Sequence, residues 1–256
     1  MASLTEPFAS GDSLLHRMDP RIRLLAALVL TVPVAVLPAS RPAWLALAAG
    51  LVLVKMARLN MLHVLHRLLV VNLFILFLWL FLPFTVPGEP IFDLGPLIAT
   101  AQGVDRALLI TVKSNAIVVS LMALLGTISV QNLGPALQQL GVPDKLCHIL
   151  LFTHRYVFSI YQEYTTMRQA MRARGFKPRT DTHTYRTFAW LVGMLLVKSW
   201  DRAERVHGAM LCRGFRGRFY SLTAFETRPG DYLFLTACAA LSAGLIYMGF
   251  IQGRLS

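Results

Sequence analysis

Charge is what this sequence has least of: Asp, Glu, Lys and Arg make up 15% of its 256 residues, against 55% hydrophobic residues. Soluble domains carry about 25% charged residues, so a water-soluble globular protein is excluded. Acidic residues are the scarcer sign, 13 against 25 basic, which leaves a formal net charge of +12. Cysteine is nearly absent. Cys147, Cys212 and Cys238 stand far apart and match neither a disulfide framework nor Cys-x-x-Cys metal spacing, which argues against a redox or zinc role. No Gly-x-x-x-x-Gly-Lys-(Ser/Thr) occurs, so the chain is not expected to bind or hydrolyse ATP. A clustered carboxylate–histidine motif is missing too. The nearest approach is His63 and His66, at i and i+3 beside Arg67, and with no third ligand nearby they read as interfacial histidines rather than a metal pair. No metal site, catalytic residue or cofactor is therefore expected. A histidine-metal membrane enzyme drawing on these two with His148 or His154 is the competing reading.

What is present is apolar and blocked. Uncharged or nearly uncharged runs fill 24–38, 43–54, 68–84, 107–130 and 232–251. They predict an all-α integral membrane protein with about five transmembrane helices, four and six staying open. The polar stretch ahead of the first run has no following small-residue cleavage site, so that run reads as a mature span rather than a removed signal peptide. Asp19 and Pro20 form a helix start. Pro33 should kink the first span, whose fifteen residues reach about 22 Å of a core roughly 30 Å thick. Arg41-Pro42 is expected to be a tight outer turn. Basic residues mark alternate connections: Arg17, Arg21 and Arg23, then Lys55, Arg58 and Arg67, whereas 85–103 carries Glu89 and Asp93 and no Lys or Arg. That bias puts the amino end inside and the carboxyl end outside. Lys113 and Asn115 enter the fourth run; they line a substrate path, or Lys113 simply snorkels from a helix end. A turn is expected at 226–231, and the small residues at 237–243 suit close helix packing.

The basic excess is local. Fourteen of the 25 Lys and Arg residues fall within 144–218, beside five acidic ones. In a soluble protein such a balance would suggest nucleic acid. Here a cytoplasmic location and anionic lipid headgroups account for most of it, with an acidic protein partner engaging a few arginines; no nucleic acid is expected. Apolar residues recur at three-and-four spacing through Val157, Ile160, Tyr161, Tyr164, Met167 and Met171, and again through Phe188, Leu191, Leu195, Ser199, Ala203 and Val206. Two amphipathic helices follow, and the expected organisation is a membrane domain at 1–130, a cytoplasmic helical domain at 131–225 and a last span at 226–256. Within this block one phrase occurs twice. Ala170-Met171-Arg172-Ala173-Arg174-Gly175-Phe176-Lys177 returns as Ala209-Met210-Leu211-Cys212-Arg213-Gly214-Phe215-Arg216, at a spacing of 39 (213 − 174). Each glycine can end a helix and each arginine suits a helix C-terminus. The repetition goes further, and suggests two equivalent arginines offered to two equivalent carboxylate-bearing sockets.

Leu15-His16-Arg17-Met18-Asp19-Pro20-Arg21, the two Ala/Cys-Arg-Gly tripeptides and the helical block before the last span resemble the EcfT/CbiQ transmembrane components of energy-coupling factor (ECF) transporters, over nearly the whole chain. The resemblance implies a multi-pass protein of the bacterial inner membrane that is not itself an enzyme. It implies long cytoplasmic coupling helices crossing in an X, with Arg174 and Arg213 each entering a groove on one of two ATP-binding-cassette subunits of the CbiO or EcfA kind. Ala173, Gly175, Cys212 and Gly214 would shape the helix ends, Cys212 standing where alanine is commoner. The third partner implied is a substrate-binding membrane subunit of the CbiM or S-component kind. The cobalt-type CbiQ branch is the most similar, which implies cobalt uptake for corrinoid synthesis; nickel or a vitamin would leave much the same sequence. A self-sufficient secondary transporter would need repeated membrane spans, and the repeat lies elsewhere.

Overall fold

Local capping chemistry sets several of the helix starts. The computed structural model describes residues 11, 13–37, 40–87, 90–94, 97–217, 225 and 227–255. A single turn, α1 (Leu14–Arg17), leads to α2 (Pro20–Val36), with Pro33 inside it. As the sequence predicts, Asp19 caps α2: its carboxylate accepts from the Arg21 amide at 2.9 Å, and Pro20 takes the first helical position. The Arg21 guanidinium donates to Asp19 at 2.7 Å and to the Phe225 carbonyl at 3.0 Å, so the entry to α2 is tied to the segment before the last helix. Next come α3 (Ser40–Met56) and α4 (Met61–Thr85), the latter capped by Asn60. Arg41 and Pro42 lie in the first turn of α3 rather than in a tight turn, since a proline near a helix start loses no hydrogen bond.

The connection expected to be a loop contains an antiparallel hairpin, β1 (Pro90–Leu94) with β2 (Leu97–Thr100); Glu89 is outside the described residues. Thr100 then caps α5 (Ala101–Leu124), accepting from the Gly103 amide and donating to the Val86 carbonyl at 2.7 Å. Gly103 is obligatory there, because a Cβ would lie 2.7 Å from Pro83 Cα and 2.8 Å from the Leu82 carbonyl oxygen. The chain continues through α6 (Val130–Gln139), α7 (Asp144–Ala173), α8 (Thr182–Cys212) and α9 (Pro229–Leu255). Pro229 and Gly230 open α9 rather than forming a separate turn: Asp231 reaches back to accept from the Arg228 amide at 3.1 Å, half of a capping box. Glu226 is outside the described residues.

Among the described residues the protein is thus helical apart from one small hairpin, and it is a membrane protein. Among the described residues three helices are long and apolar enough to cross a bilayer: Met61–Thr85, Ala101–Leu124 and Pro229–Ile251. The first two apolar runs lie in α2 and α3, whose 17 residues each reach only about 25 Å, less than the roughly 30 Å hydrocarbon core. The run 107–130 does not make one helix. α5 stops at Leu124, and a corner at 125–129 precedes α6.

Two compact units divide the chain, residues 1–133 with 225–256, and residues 134–224. In the first, α3 packs on α5 through small residues: Ala43, Ala46 and Gly50 face Ala116, Val119 and Ser120, all buried. A Cβ on Gly50 would lie 3.0 Å from Ser120 Oγ and 3.3 Å from Val119. We expect Gly50→Val to destabilise the unit by about 1–3 kcal/mol through overpacking, measurable as a lowered melting temperature in detergent. Leu30, Val54, Val64, Val119 and Leu124 form the centre of the core. α9 joins by a narrow stripe, Cys238, Ser242 and Leu245, while Ala237, Ala239, Ala240 and Ala243 face outward. The small-residue run therefore packs on one face only, because its other alanines lie off that i, i+4, i+7 stripe.

Candidate functional site

The repeated phrase is a pair of matched helix ends. In α7, Arg174 is the C-cap; the Gly175 amide donates to the Arg172 carbonyl at 3.0 Å and the Phe176 amide to the Met171 carbonyl at 3.1 Å. In α8, Arg213 is the C-cap, Gly214 donates to Leu211 at 2.9 Å and Phe215 to Met210 at 3.0 Å. Both are Schellman turns, with the glycine in the left-handed region at φ +81° and +79°. The frame explains each letter: methionine and phenylalanine, half-buried in both copies, are the apolar pair that accompanies this turn, and glycine supplies the positive φ. Arginine has no part in the cap's hydrogen-bond logic beyond its backbone. Arg174 and Arg213 are exposed, and neither has a carboxylate partner among the described residues. Ala173 and Cys212, the last helical residues, are exposed as well.

The two helices are related by the same 39-residue offset. They run antiparallel and are joined where Glu163 on α7 meets Lys198 and Arg202 on α8, the Arg202–Glu163 ion pair measuring 3.2 Å. Glu163 and Arg202 are themselves 39 apart, so equivalent positions of the repeat meet each other, as residues beside a local two-fold axis do. Ile160 and Ser199, also equivalent, flank the same point. Beyond it the helices diverge around an apolar cleft of about 310 Å³ lined by Phe152, Tyr156, Val206 and Met210. On the linked side Phe176 fills the gap, its ring 5.9 Å from Phe188 and 6.3 Å from His183. Each arginine lies eleven residues beyond its own half of the ion pair, about 16 Å along the helix. Since the helices are antiparallel, the tips point to opposite ends of the crossing, up to about 33 Å apart. No hydrogen bond or ion pair joins the two triplets among the described residues.

Lys198 and Arg202 hold the Glu163 carboxyl below its ordinary value, chiefly through the Lys198 hydrogen bond. A carboxyl whose folded value is depressed stabilises above its unfolded range and loses that contribution as pH falls through the lowered value. Spin labels at positions 174 and 213 should therefore report a sharp distance at neutral pH that broadens as the pH falls below the ordinary glutamate range. Glu163→Arg should broaden it at neutral pH, and adding Arg202→Glu should restore it; a distance indifferent to all three changes would show that the ion pair does not hold the crossing.

Other sequence candidates have ordinary structural roles. Lys113 Nζ donates to the Ala35 carbonyl at 3.3 Å, covering an unpaired carbonyl in the last turn of α2. Asn115 bonds Asn72 across α4 and α5 at 3.0 Å. His63 and His66 are exposed on α4, and among the described residues no three His, Cys, Asp or Glu side chains are grouped to hold a metal. Sequence reasoning missed Arg23. It is buried, 3% exposed, and its guanidinium donates to the Thr127 carbonyl at 3.2 Å and hydroxyl at 3.0 Å in the corner after α5. Its position among three basic residues hid it behind Arg17 and Arg21. On α8 the face away from Glu163 carries Trp190, Val197 and Trp200, exposed by 67%, 55% and 68%.

The chain is similar to known proteins along most of its length. Residues 11–223 match the family described as "CbiQ: Cobalt transport protein". "Cobalt transport protein CbiQ" of Rhodobacter capsulatus is 29% identical over 151 residues, 59% of this chain and 60% of that protein. "Energy-coupling factor transporter transmembrane protein EcfT" of Heliobacterium modesticaldum is 26% identical over 218 residues, 80% of this chain and 81% of its own. "Nickel permease LarQ" of Lactiplantibacillus plantarum is 32% identical over 106 residues, 41% of this chain and 38% of the permease. The chain thus spans about three fifths of the Rhodobacter protein and less of the nickel permease. With two arginine-tipped helices, three helices among the described residues long and apolar enough to cross a bilayer, and a family match running from before α1 to beyond α8, the chain belongs to the CbiQ family of cobalt transport proteins.

Proposed function

We propose that this chain is the transmembrane coupling component of an ECF-type importer for cobalt ions in the bacterial inner membrane. The observation that carries the reading is the pair of identical Schellman turns presenting Arg174 and Arg213 at opposite ends of two crossed helices. Two equal tips, arranged about a local two-fold axis, fit two equal sockets, and a pair of like ATPase subunits supplies them. The sockets would be acidic, because a guanidinium pairs with carboxylates bidentately. Residues 134–224 then form the cytoplasmic coupling domain, with residues 1–133 and 225–256 as the membrane domain. Closure of the ATPases on nucleotide moves the tips, and the helices transmit that motion to a separate membrane subunit that holds the metal. Trp190, Val197 and Trp200 leave apolar surface for such a subunit. The chain itself performs no chemistry: it contributes no phosphate-binding loop, and the energy enters through its partners.

Reconstitution tests this. Proteoliposomes containing the chain, its ATPases and its substrate-binding subunit should accumulate radioactive cobalt on ATP addition, and omitting this chain should stop accumulation. Nickel uptake in preference to cobalt would favour the second reading, which the similarity to a nickel permease supports; uptake of a vitamin would displace both metals. Turnover of a lipid by the purified chain, or uptake by the chain alone, would overturn the coupling role.

A further inference from the structure

We propose that Arg58, in the turn between α3 and α4, binds the phosphate of an anionic phospholipid, and that the fold holds it there at the cost of a strained backbone. Four helix ends close by the same pair of amide bonds. α6, α7 and α8 put a glycine, Gly141, Gly175 or Gly214, in the left-handed position that this turn requires. α3 does not: the Arg58 amide donates to the Lys55 carbonyl at 3.1 Å and the Leu59 amide to the Val54 carbonyl at 3.4 Å, with Arg58 itself at φ +50°. Among the described residues it is the one non-glycine with a positive φ. A side chain in that region presses its Cβ on its own backbone, and the conformation persists only where the surroundings over-determine it. Here they do, since Val54 and Ala57 are buried and Leu59 packs against the same core. Glycine would close this turn with less strain, as at the other three ends, so what arginine adds lies in its side chain.

That side chain takes no part in the fold's own bonding. Arg58 is exposed, and its guanidinium has neither a hydrogen bond nor an ion pair among the described residues. Lys55, three residues earlier in the last turn of α3, is exposed as well. Residues 20–88 contain no Asp or Glu, so neither α3 nor α4 supplies a carboxylate to these cations. The surroundings name the occupant. Met56 on α3 and Met61, Leu62 and Leu65 on α4 flank the turn and are all exposed. Apolar surface that a membrane protein leaves bare faces lipid, and a cation at its edge reaches the headgroup layer. Phosphate oxygens there accept from a guanidinium at two points. A zwitterionic headgroup brings its own cation, whereas an anionic one leaves its charge for Arg58 and Lys55.

The test is thermal melting of the purified full-length chain in a neutral detergent, alone and titrated with phosphatidylglycerol, with phosphatidylcholine or with inorganic phosphate. Without lipid, Arg58→Gly should melt roughly 2–4 °C above the unmodified protein, because glycine relieves the strain. Arg58→Lys keeps a side chain in the same conformation and should melt with the unmodified protein. Phosphatidylglycerol should raise the melting temperature of the unmodified chain. Its apparent affinity should fall about five-fold in Arg58→Gly, the effect of one basic residue at an anionic surface, and by less in Arg58→Lys. Stability gained together with lipid lost is the signature, since an arginine with a merely structural role would not move the two in opposite directions. Four results would each overturn the proposal: phosphatidylcholine as stabilising as phosphatidylglycerol, inorganic phosphate as effective as the lipid, phosphatidylglycerol affinity unchanged in Arg58→Gly, or Arg58→Gly no more stable than the unmodified chain without lipid. So would an Arg58→Gly chain that keeps its lipid and loses its ATPase, since the arginine would then serve a protein partner.

Discussion

Charge reversal at both tips, Arg174→Glu with Arg213→Glu, should yield a folded membrane protein that recovers no ATPase on co-purification and supports no uptake. Folding should survive because neither side chain caps its own helix; the turns are closed by the amides of Gly175, Phe176, Gly214 and Phe215. Binding should not, since an arginine anchored in a desolvated socket contributes about 2–4 kcal/mol, and a glutamate placed there adds repulsion to the loss. Each single reversal should leave one socket engaged, so ATPase is retained but washes off faster, and the two singles should behave alike if the tips are equivalent. Arg→Lys at both sites should weaken recovery as well, because an ammonium cannot reproduce the planar two-point contact. The measurement is ATPase activity recovered on an affinity-tagged chain at low and high salt. Undiminished recovery and uptake in the double reversal would sink the docking role of these arginines.

The second large effect should come from Arg23→Ala. Two hydrogen bonds to Thr127 are lost, the Thr127 carbonyl is left buried, and a long side chain's volume is vacated in the core. Hydrogen bonds from a charged group contribute about 1.5–3 kcal/mol and the cavity adds to that. A loss of about 3 kcal/mol is expected, a fall of roughly 6–12 °C in melting temperature for a chain of this size. Because Thr127 sits in the corner that leads from α5 to α6, uptake should fall further than the amount of folded protein does. Thr127→Val is the milder control: it removes the hydroxyl and keeps the carbonyl, and should cost about 1 kcal/mol. If Arg23→Ala melts like the unmodified protein, the buried arginine is not what holds that corner.

How much of this was legible in the residues depends on how local each cause is. Asp19-Pro20 and Arg-Gly-Phe act within a few residues, and the structure has the cap and both turns where the sequence places them. The helical class follows from the long apolar runs. Boundaries were legible only where a capping residue marked them: within 107–130 Gly126 alone hints that the helix ends at Leu124, and the Arg23 hydrogen bonds to Thr127 that brace the corner come from about a hundred residues earlier. Likewise the hairpin at 90–100 needs pairing between strands too short to carry a clear alternation. Of the candidate site, the tripeptides and their spacing could be read directly. That the 39-residue offset also brings Glu163 against Arg202 could not, because a repeat specifies equivalence without specifying contact.

Gly175 and Gly214 close both helices from the left-handed region of backbone space. A Cβ added to either would find no atom within 4 Å, so size is not what excludes other residues there. Handedness is. An L-alanine at these positions costs about 1–2 kcal/mol because its Cβ meets its own backbone, whereas D-alanine would sit at φ near +80° without strain. A semisynthetic chain carrying D-alanine at both positions should therefore keep its ATPase, and one carrying L-alanine should hold it less tightly. Mirror-image chemistry at two atoms would separate the direction in which each arginine is aimed from the flexibility that glycine otherwise brings.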